Sequence, residues 1–384
     1  MKIACFASSF LPSLAANSIQ VMRMCEAFAE NGHQVELFAR RGLPALSNDQ
    51  LLADYGIKKE FGINLVEAPS RWFVGGMLYG WRAARSLKRL YFKPDLLYGR
   101  NIYALLFSAL TGIDFCYEAH AAPYNPGRKA IERLLLALPG CRRLVVINNA
   151  LRDWYLLNFP ELARNHRPDI VVAPDGASSP NRSAPPAPTA SAKTVIGYAG
   201  GLYPGKGIER IEAVAAAMPE FSFMIAGGTS DEVANWQKRC GTNVAFNGYL
   251  QPAAVENFLS GCDILLAPYQ NRVTTTPQGA GDIAPWMSPL KIFEYMASNR
   301  PIIASRLPAI EEILCDNHNA LLVAPEDTGA WCAAICRLAA SKILRQTLAD
   351  QASADLTSSY TWKTRAQKVV PTLPRKRCSK PVIK

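Results

Sequence analysis

KIACFA (residues 2–7) and QVELF (residues 34–38) are two apolar runs of strand length. Between them, apolar side chains recur at Ile19, Met22, Cys25 and Phe28-Ala29, the spacing of one helix face. Ser18 is placed to cap that helix and Asn31-Gly32 to stop it, with Ser8 to Asn17 as the loop before it. Strand, helix and strand in this rhythm predict a parallel βαβ unit, because a crossover helix is what brings a chain back as a parallel neighbour.

The alternation continues outward from this unit. Further buried strands are expected at 63–67, 95–98, 115–118, 144–147 and 170–173, with Pro174-Asp175-Gly176 as a closing turn. Residues 177–193 are mostly Ala, Ser and Pro without a large apolar side chain, the composition of a linker. Strands then resume at 194–198, 221–226, 244–246, 263–267, 301–304 and 320–323. A chain of 384 residues exceeds one ordinary core. The expectation is two doubly wound, Rossmann-like α/β domains, at 1–176 and 194–360, followed by a crossover segment and basic tail at 361–384.

Composition narrows the function classes. With 49% apolar and 19% charged residues the chain is folded rather than disordered. Its ten cysteines are scattered without a Cys-x-x-Cys. They read as the reduced thiols of a cytoplasmic protein, neither a disulfide framework nor a zinc site. The apolar start imitates a signal peptide, but Pro12 interrupts it and the segment runs on into a helical pattern. No window reaches 18 uninterrupted apolar residues, so no membrane span is expected. The net charge of +11 suits an anionic membrane surface, a nucleotide or a nucleic acid. Nucleic acid is set aside, since no recognisable motif accompanies the charge. Five of the last ten residues are basic. Residues 71–93 mix Trp72, Phe73, Trp81 and Tyr91 with Arg71, Arg82, Arg85, Lys88, Arg89 and Lys93. A crossover helix with a solvated basic face is expected there, and peripheral contact with the inner face of an anionic membrane is the second reading.

Three places carry candidate chemistry. The first is Ser288-Pro289-Leu290-Lys291-Ile292-Phe293-Glu294-Tyr295-Met296-Ala297. Ser288 suits an N-cap and Pro289 the first helical position, so the first turn offers free N–H groups to an anion. Lys291 adds a mobile cation, and Glu294 one turn on accepts hydrogen bonds from sugar hydroxyls. A capped amphipathic helix whose Lys and Glu merely face water fits the pattern equally well. The second is the loop Gly200-Gly201-Leu202-Tyr203-Pro204-Gly205-Lys206-Gly207, whose glycines allow close approach to a phosphate that Lys206 neutralises. It lacks the P-loop order, and a plain turn is its alternative. The third is His120, at the carboxyl end of an expected strand, where an open parallel sheet binds ligands. A histidine satisfied by backbone is the alternative there.

These motifs, with Gly227-Gly228, Asn247-Gly248-Tyr249, Arg300-Pro301, Glu118-Ala119-His120 and Thr361-Trp362-Lys363, resemble the GT-B glycosyltransferases, in particular the retaining family-four group. The likeness spans nearly the whole chain. It implies two domains facing across a cleft, with the acceptor on the first and a UDP- or GDP-sugar on the second, and no bound cofactor or metal. By this resemblance Glu294 binds the nucleotide ribose, and Lys206 contacts the donor diphosphate. Gly201, Gly207 and Ser288, Pro289, Leu290 and Lys291 line the phosphates, and His120 lies by the transferred sugar, making His120 and Lys206 the catalytic pair. The acceptor is then a saccharide or a lipid-linked saccharide, in surface-polysaccharide or glycolipid biosynthesis. The chain departs from the pattern at Trp286, where the family has its first glutamate, and at Gly201, where an arginine is common. Asp282 is a stand-in for the missing carboxylate, and Asn17 takes the place of the amino-terminal glycine-rich loop. These departures leave a non-catalytic relative and a sugar-nucleotide epimerase as alternatives.

Overall fold

A computed structural model describes residues 1–13, 15–69, 72–165, 167–179, 193–274 and 281–373. Most of the expected linker, Arg71 and the basic tail lie outside the described residues.

The first sheet has seven strands: β1 (Lys2–Leu11), β2 (Gln34–Arg41), β3 (Gly62–Val66), β4 (Leu96–Gly99), β5 (Asp114–Ala119), β6 (Cys141–Val146) and β7 (Asp169–Val172). Their spatial order is β3-β2-β1-β4-β5-β6-β7. The second has six: β8 (Val195–Ala199), β9 (Ser222–Ala226), β10 (Val244–Gly248), β11 (Ile264–Ala267), β12 (Ile302–Ser305) and β13 (Leu321–Val323), in the order β10-β9-β8-β11-β12-β13. Every pairing is parallel. Each sheet is covered on both faces, which is why its strands read as continuous apolar runs. The order reverses between β1 and β4 and between β8 and β11, and ligands bind at such points, outside the carboxyl ends.

The first helix start differs from expectation. The first helix is Ala16–Glu30 and begins after Ala15. Ser18 is inside it and fully buried, donating to the carbonyls of Ser13 (2.8 Å) and Ala15 (2.7 Å). The strand before it runs on to Leu11, so the expected loop is shorter. The basic–aromatic stretch forms the crossover helix Trp72–Ser86 and a 3-10 turn at Leu87–Arg89, joining β3 to β4. Tyr79 pins that helix to the sheet, buried and donating to the Phe38 carbonyl at 2.7 Å.

The chain crosses between the lobes twice, and the two crossings are paired. The Ala177 N–H bonds Tyr360 O and the Trp362 N–H bonds Ala177 O, both at 3.1 Å. Gly176 is required here, because a Cβ would overlap the Tyr360 carbonyl. The helix Trp362–Val369 then sinks Trp362, Ala366 and Val369 into the first domain's core beside Met22 and Phe28. Away from the hinge, Glu312 accepts from the Asn149 backbone N–H (2.8 Å) and side chain (2.7 Å), capping a first-domain helix with a carboxylate from the second.

Candidate functional site

The Gly200–Gly207 loop leaves β8 at the switch point of the second sheet. Gly205 and Gly207 have φ of 84° and 92°, and a Cβ at either would collide with the carbonyl of Arg272 or Pro268. Only glycine lets the loop lie this close to the segment after β11. Gly207 is the left-handed residue from which the helix Ile208–Ala217 starts.

Lys206 and Lys291 meet over aromatic rings. The Lys206 ammonium lies 5.4 Å from the Tyr203 ring and 5.3 Å from the Tyr269 ring. Lys291 sits 3.8 Å from the Tyr198 ring and 4.7 Å from the same Tyr269. Lys291 is therefore not the mobile cation the sequence suggested. It is 7% exposed, and among the described residues its ammonium has no hydrogen-bond partner. Cation–π contacts of this kind contribute about 0.5–2 kcal/mol each, well short of an ion pair in a dry site. Burial lowers Lys206 to about 8. Burial, then the Lys206 charge, drives Lys291 well below its ordinary range, with Glu294 opposing. Two lysines thus share one aromatic ring at the switch point of the second sheet.

Glu294 lies one turn along the helix Leu290–Ala297. Burial raises its carboxyl, while Arg23 from the first domain and Lys291 pull it back. Ser288 does not cap this helix. Pro289 is its N-cap with no side-chain bond, and the Ser288 hydroxyl accepts the Asp175 N–H at 2.7 Å. Its oxygen is taken by the hinge, and no described side chain caps the helix, whose Ile292 N–H bonds Pro289 O at 3.0 Å. Leu290 packs against the first domain's core, which holds the start of this helix at the lobe boundary.

Gly201 leaves its space to Tyr203, whose ring a Cβ would strike. The common arginine is thus traded for an aromatic wall of the lysine cage. Asp282 is committed to its own loop, Oδ1 accepting the N–H of Val273 (3.1 Å) and of Ala284 (2.9 Å). Trp286 packs on the first domain's core. Both side chains are engaged in the segment that joins the lobes there.

Across the boundary, a cavity of about 200 Å³ at the carboxyl end of the first sheet is lined by Ser8, Ser9, Asn17, Arg100, His120 and Tyr124, among others. Asn17 and His120 are brought together as the sequence suggested. His120 is half-buried and its Nε2 bonds Glu118. Burial, then Arg100, lowers the imidazole, against the pull of Glu118. Glu118, Asp175, Arg100 and Arg365 around it escaped the sequence reading. One signal was available: Glu118 stands two residues before His120, at the carboxyl end of β5. Glu118, His120 and Asp175 bring ligand-type atoms within 4.8 Å, but Arg365 and Arg100 already supply the positive charge that the carboxylates require.

Two family models match this chain. Residues 18–161 match Glycosyltransferase Family 4, and residues 193–341 match Glycosyl transferases group 1. Together they cover five strands of the first sheet and all six of the second, and the chain belongs to the glycosyltransferases of the GT-B fold. Among particular relatives, it is 26% identical over 121 residues to TuaH of Bacillus subtilis (strain 168), a protein named for teichuronic acid biosynthesis. That match covers 31% of this chain and 28% of the relative. Sucrose-phosphate synthase from Thermosynechococcus elongatus superposes with a TM-score of 0.68 at 17% identity, over 95% of this chain and 96% of that one. HepE of Anabaena, solved with UDP and glucose, gives 0.67 at 17% identity, over 96% and 98%. At such identities the likeness establishes the fold.

Proposed function

We propose that the chain moves a sugar from a nucleotide-sugar donor, UDP- or GDP-linked, to a saccharide or lipid-linked acceptor, with retention and without a metal, in surface-polysaccharide or glycolipid biosynthesis. The observation that carries this reading is the pair of ammonium groups sharing Tyr269, with Glu294 one turn beyond Lys291. Lys206, Lys291 and the amides at Leu290 stabilise the charge that develops on the leaving diphosphate. The Glu294 carboxylate accepts from the ribose hydroxyls. His120 orients the sugar from the opposite lobe, and closure about the 177/361 pairing keeps water out. A pathway role like the one in the TuaH name is consistent with a saccharide acceptor. The test is a mass-spectrometric screen of nucleotide sugars with and without saccharide acceptors. Acceptor-dependent release of nucleoside diphosphate is expected. Nucleotide binding without turnover across a broad panel favours a non-catalytic relative instead.

Glu294→Ala removes charge-assisted bonds, about 1.5–3 kcal/mol in all. Nucleoside diphosphate then binds about 10- to 100-fold more weakly by calorimetry, and an unchanged affinity removes Glu294 from the ribose.

We also place the first domain on an anionic membrane surface. Val74, Met77, Trp81 and Tyr91 are exposed, Arg85 stacks 5.6 Å from the Trp81 ring, and no acidic residue occurs between Glu67 and Asp95. Each basic residue near such a surface contributes about 1 kcal/mol. Sedimentation with phosphatidylglycerol vesicles is expected to retain the protein. Equal binding to phosphatidylcholine vesicles contradicts the charge-based docking. Among the described residues no helix is long and apolar enough to cross a membrane.

A further inference from the structure

Glu118 is the most heavily bonded group beside His120, and one of its donors comes from the far end of the chain. It is 2% exposed on β5. Its Oε1 accepts from Gln20 Nε2 (2.8 Å), from His120 Nε2 and from an Arg365 Nη (2.9 Å). Its Oε2 accepts from the Tyr98 hydroxyl. Arg365 is 3% exposed and also donates to Pro174 O (2.8 Å) and Ala173 O (3.2 Å), the residues just before the hinge. A guanidinium this far from water persists only where its charge is matched. The match is Glu118: burial alone would raise that carboxyl, but Arg365, then His120 and Arg100, hold it well below the usual carboxylate range.

An ionised carboxylate only accepts hydrogen bonds, so the shared bond requires the proton on His120 Nε2. A neutral imidazole has one N–H, and Nδ1 then carries the lone pair. We propose that Arg365 is a positioning residue for His120: by keeping Glu118 an acceptor, it fixes the Nε2–H tautomer and leaves Nδ1 as the acceptor offered to a sugar hydroxyl. Only that last clause rests on the transferase reading. The charged and titratable groups around the ring are Glu118 on β5, Tyr98 and Arg100 at the end of β4, Asp175 after β7, and Arg365 from the Trp362–Val369 helix. Of these, Arg365 alone comes from beyond the hinge. The protonation of a first-domain histidine is thereby tied to docking of the carboxyl-terminal helix.

Without Arg365, Glu118 either stays ionised and draws a second proton onto His120, or protonates itself and becomes the donor, reversing the tautomer. Both outcomes are visible in ring-nitrogen NMR of the full chain labelled at its four histidines. Wild type is expected to show neutral Nε2–H at His120 at about pH 8, because burial lowers the imidazole from its ordinary range. Arg365→Met loses that state, and Arg365→Lys, which keeps the charge, restores it. If Arg365→Met does not fold, Arg365→Gln gives the same readout, since it keeps a hydrogen-bonding side chain and removes the charge. A folded Arg365→Met or Arg365→Gln with the wild-type tautomer and titration overturns the proposal. In turnover, Arg365→Met lowers kcat at unchanged donor KM and moves the acidic limb of the pH profile by about one unit or more. A purely structural arginine changes neither limb. Failure of wild type to transfer any sugar overturns the transferase reading and leaves the NMR result standing.

Discussion

Lys206→Ala lowers kcat by about 10²- to 10³-fold, the loss typical when one fixed donor to a developing charge is removed. The side chain already stands at the site with no anion of its own, so nothing must reorganise when the diphosphate departs. Binding suffers less than turnover, because removing one ammonium relieves the repulsion on Lys291. The pH dependence has a definite sign. Lys206 is lowered to about 8 in the free protein, so its charge is present below that pH and lost above it. The kcat/KM value therefore falls as pH rises through about 8. A bound diphosphate favours the charged form, so the kcat plateau extends to higher pH. Steady-state kinetics of the variant and a wild-type pH profile check both statements. A variant within about threefold of wild type contradicts the role given to Lys206.

Gly207→Ala is the second large effect, and it acts through the backbone. At φ 92° an L-residue costs about 1–2 kcal/mol. The added methyl also meets the Pro268 carbonyl, and such overpacking costs about 1–3 kcal/mol more. The loop must therefore leave the segment after β11, taking Lys206 away from Tyr269. The expected result is destabilisation of about 2–5 kcal/mol in denaturant titration, with nucleotide affinity lost in the molecules that remain folded. Full stability with normal affinity contradicts this view of the loop.

The βαβ rhythm was readable because parallel strands are buried on both faces, so their apolar runs survive without any tertiary information. Lys206, Lys291 and Glu294 stood out as candidates for a similar reason: a glycine loop and a helix start are local features. What escaped was everything long-range. No spacing rule links Glu118 to Arg365, 247 positions away. Only the inward phase of Arg365, between Trp362 and Val369 on an apolar stripe, hinted that its charge needed a buried partner. Lys291 reads as exposed because nothing local announces that Tyr198 and Tyr269 will close over it. Ser288 has the right chemistry for a cap, but the hinge claims its oxygen. The bonds of Asp282 to its loop and the packing of Trp286 on the other lobe also lay beyond any local motif.

A crystal structure of the chain with a bound nucleoside diphosphate tests the central claim most directly. The account predicts ribose hydroxyls on Glu294, the terminal phosphate between Lys206 and Lys291, and His120 in the same cleft. A nucleotide seated elsewhere, with Glu294 touching no hydroxyl and both ammonium groups still bare, contradicts it.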